Sequence, residues 1–318
     1  IVNLNLVAVA DEEPAAELGF QCNKPADCDY TPHCWKNVPL YSVFNLYANV
    51  KDGGATIKQI GSYDIKDIPV ELIPKDARAI ELEAHKCGTV QSNAQELKNF
   101  LGKIKYPVYY LDYETVQSPV PLYSGTRPYR QVPFQFSLHV QEQPGEALKH
   151  TGFLHKENTD PRETFAQALV AACGTEGTVL VYSMDFESQR NNELALDFPA
   201  YKMQLQAINE RMLDLYVPFK NRWLYSPQQN GSASIKAVLP SFTSMTYKNL
   251  VIGNGEQALN EYLSFVRGEK DQADLPAFWQ ALEIYCGQDT LAMVELQKVL
   301  ENYANQEPAA GNQIKPAP

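Results

Sequence analysis

The stretch Tyr106–Thr115, YPVYYLDYET, constrains this chain more than any other. Aromatic and β-branched residues crowd it and a polar, proline-rich segment follows, which is the pattern of a buried strand. Side chains two apart on a strand share a face. Asp112 and Glu114 therefore project together, while Tyr113 faces the opposite layer. Two carboxylates this close repel each other unless a cation lies between them. Hard divalent cations prefer oxygen ligands, and Mg²⁺ commonly takes one or two carboxylates plus the phosphate oxygens of a substrate. A lone Asp-x-Glu is also what a solvated strand end looks like, so its meaning depends on matching carboxylates downstream.

With 318 residues the chain has room for two domains, or for one domain with a large appendage. No apolar stretch is long enough to span a bilayer. The opening IVNLNLVAVA lacks a basic leader and runs straight into Asp11-Glu12-Glu13, which is not how a signal peptide reads. The net charge of −11 disfavours nucleic-acid binding driven by bulk charge. It is compatible with a nuclease, whose metal ligands are acidic and whose bound cations restore positive charge locally. The six cysteines are too sparse for a disulfide-stapled secreted module, so a cytoplasmic setting is expected.

Three of those cysteines, Cys22, Cys28 and Cys34, lie in the loop QCNKPADCDYTPHCWKN, separated each time by five residues. Thiolates bunched in a short proline-containing loop suggest a soft-metal site. Zinc normally needs four ligands, and His33 is available as one of them. An iron–sulfur cluster needs a fourth ligand that no nearby cysteine supplies. Three reduced, unliganded thiols are the alternative.

Further along, Tyr41–Tyr47 reads as a short strand, and Asn93 as the N-cap of a helix over AQELKNFLGKI. The expected division is an N-terminal appendage and connector over 1–104, a main domain over 105–303 and a disordered Pro-, Ala- and Gln-rich tail over 304–318. The loop after the first strand, QSPVPLYSGTRPYRQVP, sets Arg127 and Arg130 among Tyr123 and Tyr129. That mixture suits phosphate contact and base stacking, and equally a surface loop. FQFSLHV (134–140) and HTGFLH (150–155) read as further strands of an antiparallel meander. Asp160-Pro161-Arg162-Glu163 starts a helix, and TVLVYS (178–183) is a buried strand. A strand, a crossing helix and another strand imply a mixed sheet with helices packed on it.

In MDFESQRNNELA, Glu187 is a carboxylate at a helix start, with Asp185 as its rival and simple stabilisation of the helix terminus as the plain reading of both. A helix over 199–213 leads to Asp214, placed to pair with Arg211. NGSASIKAVLP (230–240) reads as a short helix capped by Ser232 or Ser234, with Lys236 in its first turns. Such a start can hold a phosphate, or be an ordinary capped helix. Segments 254–267 and 273–301 are two more helices. The second carries Tyr285 and Asp289, four apart and so on one face.

The order Asp112, Glu114, Glu187, Tyr285, Asp289 resembles the tyrosine subclass of the DnaQ-like, or DEDD, 3′–5′ exonucleases. LDYET matches the family's first Asp-x-Glu motif. Phe186-Glu187 looks like its second, with Glu for the usual Asp, one methylene longer. Tyr285 and Asp289 match its last, Tyr-x-x-x-Asp. The chain is also similar to an uncharacterised bacterial family in which such a domain follows a RecB-type nuclease region with a cysteine cluster. The stretches that carry this include CNKPADCDYTPHCW, YYLDYET, PLYSGTRPYRQVPFQFSLHV, VYSMDFES, GSASIKAVLP and YCGQDTLAMVEL, and they extend over most of 22–300.

The resemblance implies an α/β fold, a ribonuclease-H-like mixed sheet flanked by helices, with a small N-terminal cysteine-containing appendage. It implies hydrolysis of DNA or RNA phosphodiesters from a single-stranded 3′ end, using two Mg²⁺ or Mn²⁺ ions about 3.5–4 Å apart. Asp112 would bridge both ions, Glu114 and Asp289 would complete one site, and Glu187 would act at the other through water. Tyr285 would orient the attacking water. Arg127, Arg130 and Lys236 are the candidate nucleic-acid contacts. Cys22, Cys28 and Cys34 would be ligands of an iron–sulfur cluster or zinc in a longer protein. A non-catalytic module that grips nucleic acid or a partner nuclease is the other reading of the same features.

Overall fold

The computed structural model describes residues 9–13, 17–24, 26–48 and 53–306. Most of the opening apolar run and of the expected tail, residues 1–8 and 307–318, lie outside the described residues. The chain divides into two compact units after Thr89. No helix among the described residues is long and apolar enough to cross a membrane.

The smaller unit has its own apolar core, in which Tyr41, Phe44, Leu46, Ile57, Ile65 and Leu82 pack together. The strand expected over Tyr41–Tyr47 is instead a helical turn, Val43–Leu46. Ser42 and Asn45 form a reciprocal capping box there, and local capping of this kind outweighs the strand preference of the flanking aromatics. The thiols of Cys22, Cys28 and Cys34 are free. They do not form a group whose ligand atoms all lie within 4.8 Å of one another, and His33 pairs with Glu13 at 2.8 Å.

In the larger unit, strands β1 (Val108–Val116), β2 (Val132–Gln141), β3 (Lys149–Leu154), β4 (Thr178–Val181) and β5 (Met212–Asp214) form a five-stranded sheet in the order β3-β2-β1-β4-β5. β1, β2 and β3 run antiparallel, whereas β4 is parallel to both β1 and β5. The architecture is thus a mixed sheet flanked by helices, as the strand–helix–strand pattern predicts. Helix α1 (Ala94–Leu101) starts where Asn93 accepts a hydrogen bond from the Glu96 N–H. It buries Leu97 and Phe100 in the core of this unit, so the larger unit begins before Lys105.

The alternation along β1 decides which helices lie on which face. Tyr109, Leu111 and Tyr113 enter one core with α2 (Arg162–Ala172), α3 (Met184–Asp197) and α4 (Lys202–Glu210). Val108 and Tyr110 enter the other core with α5 (Ile235–Phe242), α6 (Gly255–Val266) and the 31-residue α7 (Leu275–Asn305). Polar contacts fix α7 against the sheet: the Tyr110 hydroxyl donates to Gln297 Oε1 at 2.9 Å, Gln135 Nε2 to the Leu282 carbonyl at 2.9 Å, and the Ser137 and Thr290 hydroxyls meet at 2.8 Å.

Two expectations change here. The helix predicted over 199–213 ends at Glu210, and Met212–Asp214 forms β5. Three residues carry no readable period, and it is the parallel pairing with β4 that draws them into the sheet. The expected Arg211–Asp214 pair is absent among the described contacts. Arg211 turns back to the carbonyls of Cys173, Gly174 and Gly177, while the Asp214 carboxylate accepts the backbone N–H groups of Ser183, Met184 and Tyr216.

Candidate metal centre

Asp112 and Glu114 occupy the same face of β1 as Tyr110, the face that α7 covers. The β1–β2 register shifts between Glu114 and Thr115, and such a bulge bends the strand and re-aims the side chains beside it. Asp112 is half-buried, and Glu114 is buried. Cys286, on α7, brings its Sγ to 3.8 Å from both the carbonyl oxygen and Oδ2 of Asp112. Burial first, and the neighbouring carboxylates next, push its thiol well up, so it acts as a weak donor and leaves ligation to oxygen.

Immediately before Cys286 and about one turn after it, α7 presents Tyr285 and Asp289, both buried. The Tyr247 hydroxyl donates to Asp289 Oδ1 at 2.6 Å. Lys236 Nζ donates to the Tyr285 hydroxyl at 3.2 Å and lies 5.2 and 5.5 Å from the ring centroids of Tyr285 and Tyr247. Lys236 therefore stands inside the carboxylate site. The N-cap position of its helix is Ser234, without a side-chain cap bond.

Glu187 arrives from the opposite wall. β4 ends at Val181, and Ser183, in a left-handed conformation at φ 80°, turns the chain into α3. Asp214 supplies from β5 the cap that Ser183 lacks. Glu187, in the first turn, is 2% exposed, and its Oε2 has no hydrogen-bond partner. Asp185 is exposed and does not line the cleft, so of the two rivals the fold turns Glu187 inward.

Asp112, Glu114, Glu187, Tyr285 and Asp289 thus line one cleft of about 910 Å³, together with Lys236 and with Gly255 and Glu256 at the start of α6. Burial makes each of the four carboxyls resist ionisation. Burial, then Asp289, Glu114 and Glu187 in turn, holds Asp112 well above the usual range. Burial and Asp289 do the same for Glu114, partly offset by Lys236. Burial raises Glu187 to about 8, Asp214 adding to the effect. Burial raises Asp289 to about 6 against the opposing Tyr247 hydrogen bond and the Lys236 charge. A buried carboxylate oxygen without a donor, among other buried acids, is a donor set that fits hard divalent cations.

The two loop arginines do not join this site. Arg130 is bound to Asp197 and close to Glu193, and Arg162 binds the same Asp197 together with Asp160. Arg130 is therefore a structural cation, a role its sequence neighbours do not betray because its partners lie on a distant helix. Arg127 is exposed and does not line the cleft. Tyr247, Asp214 and Cys286 are the residues of the site that carry no local sequence signal.

A family model described as a domain of unknown function (DUF2779) matches residues 109–234, which include Asp112, Glu114 and Glu187 and end before Lys236, Tyr285 and Asp289. The chain is similar to the uncharacterized protein MG366 of Mycoplasma genitalium, 29% identical over 63% of this chain and 33% of that protein. It is also similar to the MG366 homolog of Mycoplasma pneumoniae, 26% identical over 65% of this chain and 34% of that protein. The uncharacterized protein UU173 of Ureaplasma parvum is 24% identical over 82% of this chain and 41% of its own length. The chain thus spans between a third and two fifths of these relatives. No solved structure matches it.

Proposed function

We propose that the larger unit is a metal-dependent 3′–5′ exonuclease on a ribonuclease-H-like sheet, cutting phosphodiester bonds of DNA or RNA. The observation that carries the reading is convergence. Four carboxyls and a tyrosine from β1, α3 and α7, far apart in sequence, line one cleft, and the neighbouring acids raise the proton affinity of Asp112 and Glu114. The sheet order, three antiparallel strands followed by two parallel ones, supports the fold assignment.

Asp112, Glu114, Glu187 and Asp289 would hold two divalent cations, which when bound neutralise these acids and activate water for attack on phosphorus. The water oxygen bonds to phosphorus, the P–O3′ bond breaks, and a nucleoside 5′-monophosphate leaves a new 3′-hydroxyl on the strand. Tyr285 keeps its proton, because burial and the surrounding carboxylates push its hydroxyl above its ordinary value. It therefore serves as a donor that orients the water, not as a base. Lys236 donates to the Tyr285 oxygen, and the Tyr285 hydroxyl also bonds the Asp289 carboxyl. Tyr247 fixes the rotamer of Asp289.

Digestion of 3′-labelled and 5′-labelled oligonucleotides, DNA against RNA, with Mg²⁺ or Mn²⁺ tests this. Stepwise release from the 3′ end is expected. Metal-independent cleavage, cleavage that survives Asp112→Asn, or no cleavage of either polymer removes the proposal.

A further inference from the structure

A second groove, of about 660 Å³, adjoins the carboxylate cleft, and Lys236 lines both. Its charged lining residues are Lys236 and Lys248, and no Asp or Glu lines it, in a chain whose net charge is −11. Thr243, Ser244, Thr246 and Asn254 line the same space. Tyr247 forms the partition: it lines the groove while its hydroxyl reaches Asp289 in the cleft. Lys248 and Ser244 are exposed, so the groove opens to solvent.

We propose that this groove holds the sugar–phosphate backbone of a single strand on the 5′ side of the bond presented to the carboxylates. The proposal rests on the exonuclease reading and gives the polymer its path. A polyanion is repelled by a wall of carboxylates wherever cations do not intervene. The phosphates beyond the scissile one need an acid-free, positively charged channel, and this is the groove that shares a lysine with the cleft. Lysine binds phosphate as a point charge, and hydroxyls serve any nucleotide. The volume lies within the roughly 300–1,000 Å³ typical of ligand sites. The partition ring of Tyr247 is buried, so the groove offers backbone contacts in place of an exposed stacking platform, and recognition is tolerant of base sequence.

Anisotropy of labelled oligothymidylate and oligouridylate with the full chain carrying Asp112→Asn, in Mg²⁺, measures binding apart from cutting. Lys248→Glu is expected to weaken binding at least about tenfold, and Lys248→Ala to flatten the log affinity against log salt slope by about 0.7, one phosphate contact on a single strand. Ser244→Asp, which sets a carboxylate in the groove and leaves both lysines in place, is expected to weaken binding in the same direction. Lys298→Ala, whose lysine pairs with Glu295 on the surface of α7, is expected to change neither affinity nor slope. Unchanged affinity and slope in Lys248→Ala, or equal losses in Lys298→Ala, overturns the groove even if 3′–5′ digestion is intact. A flattened slope in a protein that digests no oligonucleotide supports the groove and removes only the exonuclease reading.

Discussion

Tyr247 donates its hydroxyl to Asp289 Oδ1 at 2.6 Å across 42 positions of sequence, tying the loop before α6 to the acid on α7. Tyr247→Phe removes a hydrogen bond to a charged acceptor, an interaction worth about 1.5–3 kcal/mol. The Asp289 carboxyl, at about 6 with the donor in place, moves further up. The Mg²⁺ concentration for half-maximal cleavage is expected to rise about 10–100-fold, as for other partners that orient a ligand. Activity should return at high Mg²⁺, which a general loss of folding would not allow.

Asp112→Asn removes one of the mutually repelling acids and keeps the shape of the side chain. Cleavage in Mg²⁺ or Mn²⁺ is expected to fall at least about 1,000-fold, because several kcal/mol of transition-state stabilisation depend on the bound cations. The metal-free protein should be more stable than the wild type, since burial and three other acids oppose ionisation at this position. Paired activity assays and thermal melts test both halves.

Glu187→Gln and Asp185→Asn separate the two acids of α3. Glu187 is buried in the cleft with an unpartnered oxygen, and Asp185 is exposed outside it. The first substitution is expected to lower kcat at least about 100-fold, and the second to stay within about twofold of wild type. Steady-state kinetics on one labelled strand decides between them.

The raised carboxyls give the metal-free protein a stability that falls with pH. Glu187 moves from 4.5 to about 8 and Asp289 from 3.8 to about 6 on folding. The native state therefore binds protons more tightly than the unfolded state, and stability declines as pH rises through that window. The melting temperature should drop by several degrees between about pH 5 and about pH 8, at about 2–4 °C per kcal/mol for a unit of this size. Millimolar Mg²⁺ or Mn²⁺ should reverse the drop, since a ligand bound only by the native state stabilises it. A flat calorimetric profile contradicts the assignment of these acids.

Arg130→Ala tests a role assigned to packing. Arg130 and Arg162 share Asp197 in a largely buried network. Losing one partner is expected to cost about 1.5–3 kcal/mol, the range of a charge-assisted hydrogen bond. Oligonucleotide affinity at low temperature should be unchanged. Denaturant titration with a parallel binding curve checks it.

The part of the site that was legible in sequence is the part set by local geometry. Successive side chains of 108–116 enter opposite cores, so the common face of Asp112 and Glu114 follows from the strand period, and Tyr285 and Asp289 follow from the helical one. The partners supplied by other elements were not legible. Asp214 reads as a neighbour of Arg211 but caps α3 from a strand too short to show a period. Arg130 reads as a loop cation but is consumed by Asp197 on the far end of α3. Tyr247 sits in a segment without periodicity, and only the packing of that loop against α7 gives it a partner. Lys236 reads as a phosphate contact at a helix start, and the fold sets it against Tyr285 as well.

The last acid rides on α7, the helix that also closes one face of the sheet. Every strand among the described residues precedes it in the chain, so the sheet can be fully synthesised while one wall of the pocket has not yet left the ribosome. A polypeptide halted before position 289 lacks that acid. On the proposed exonuclease reading, cleavage therefore waits until α7 has docked against the sheet.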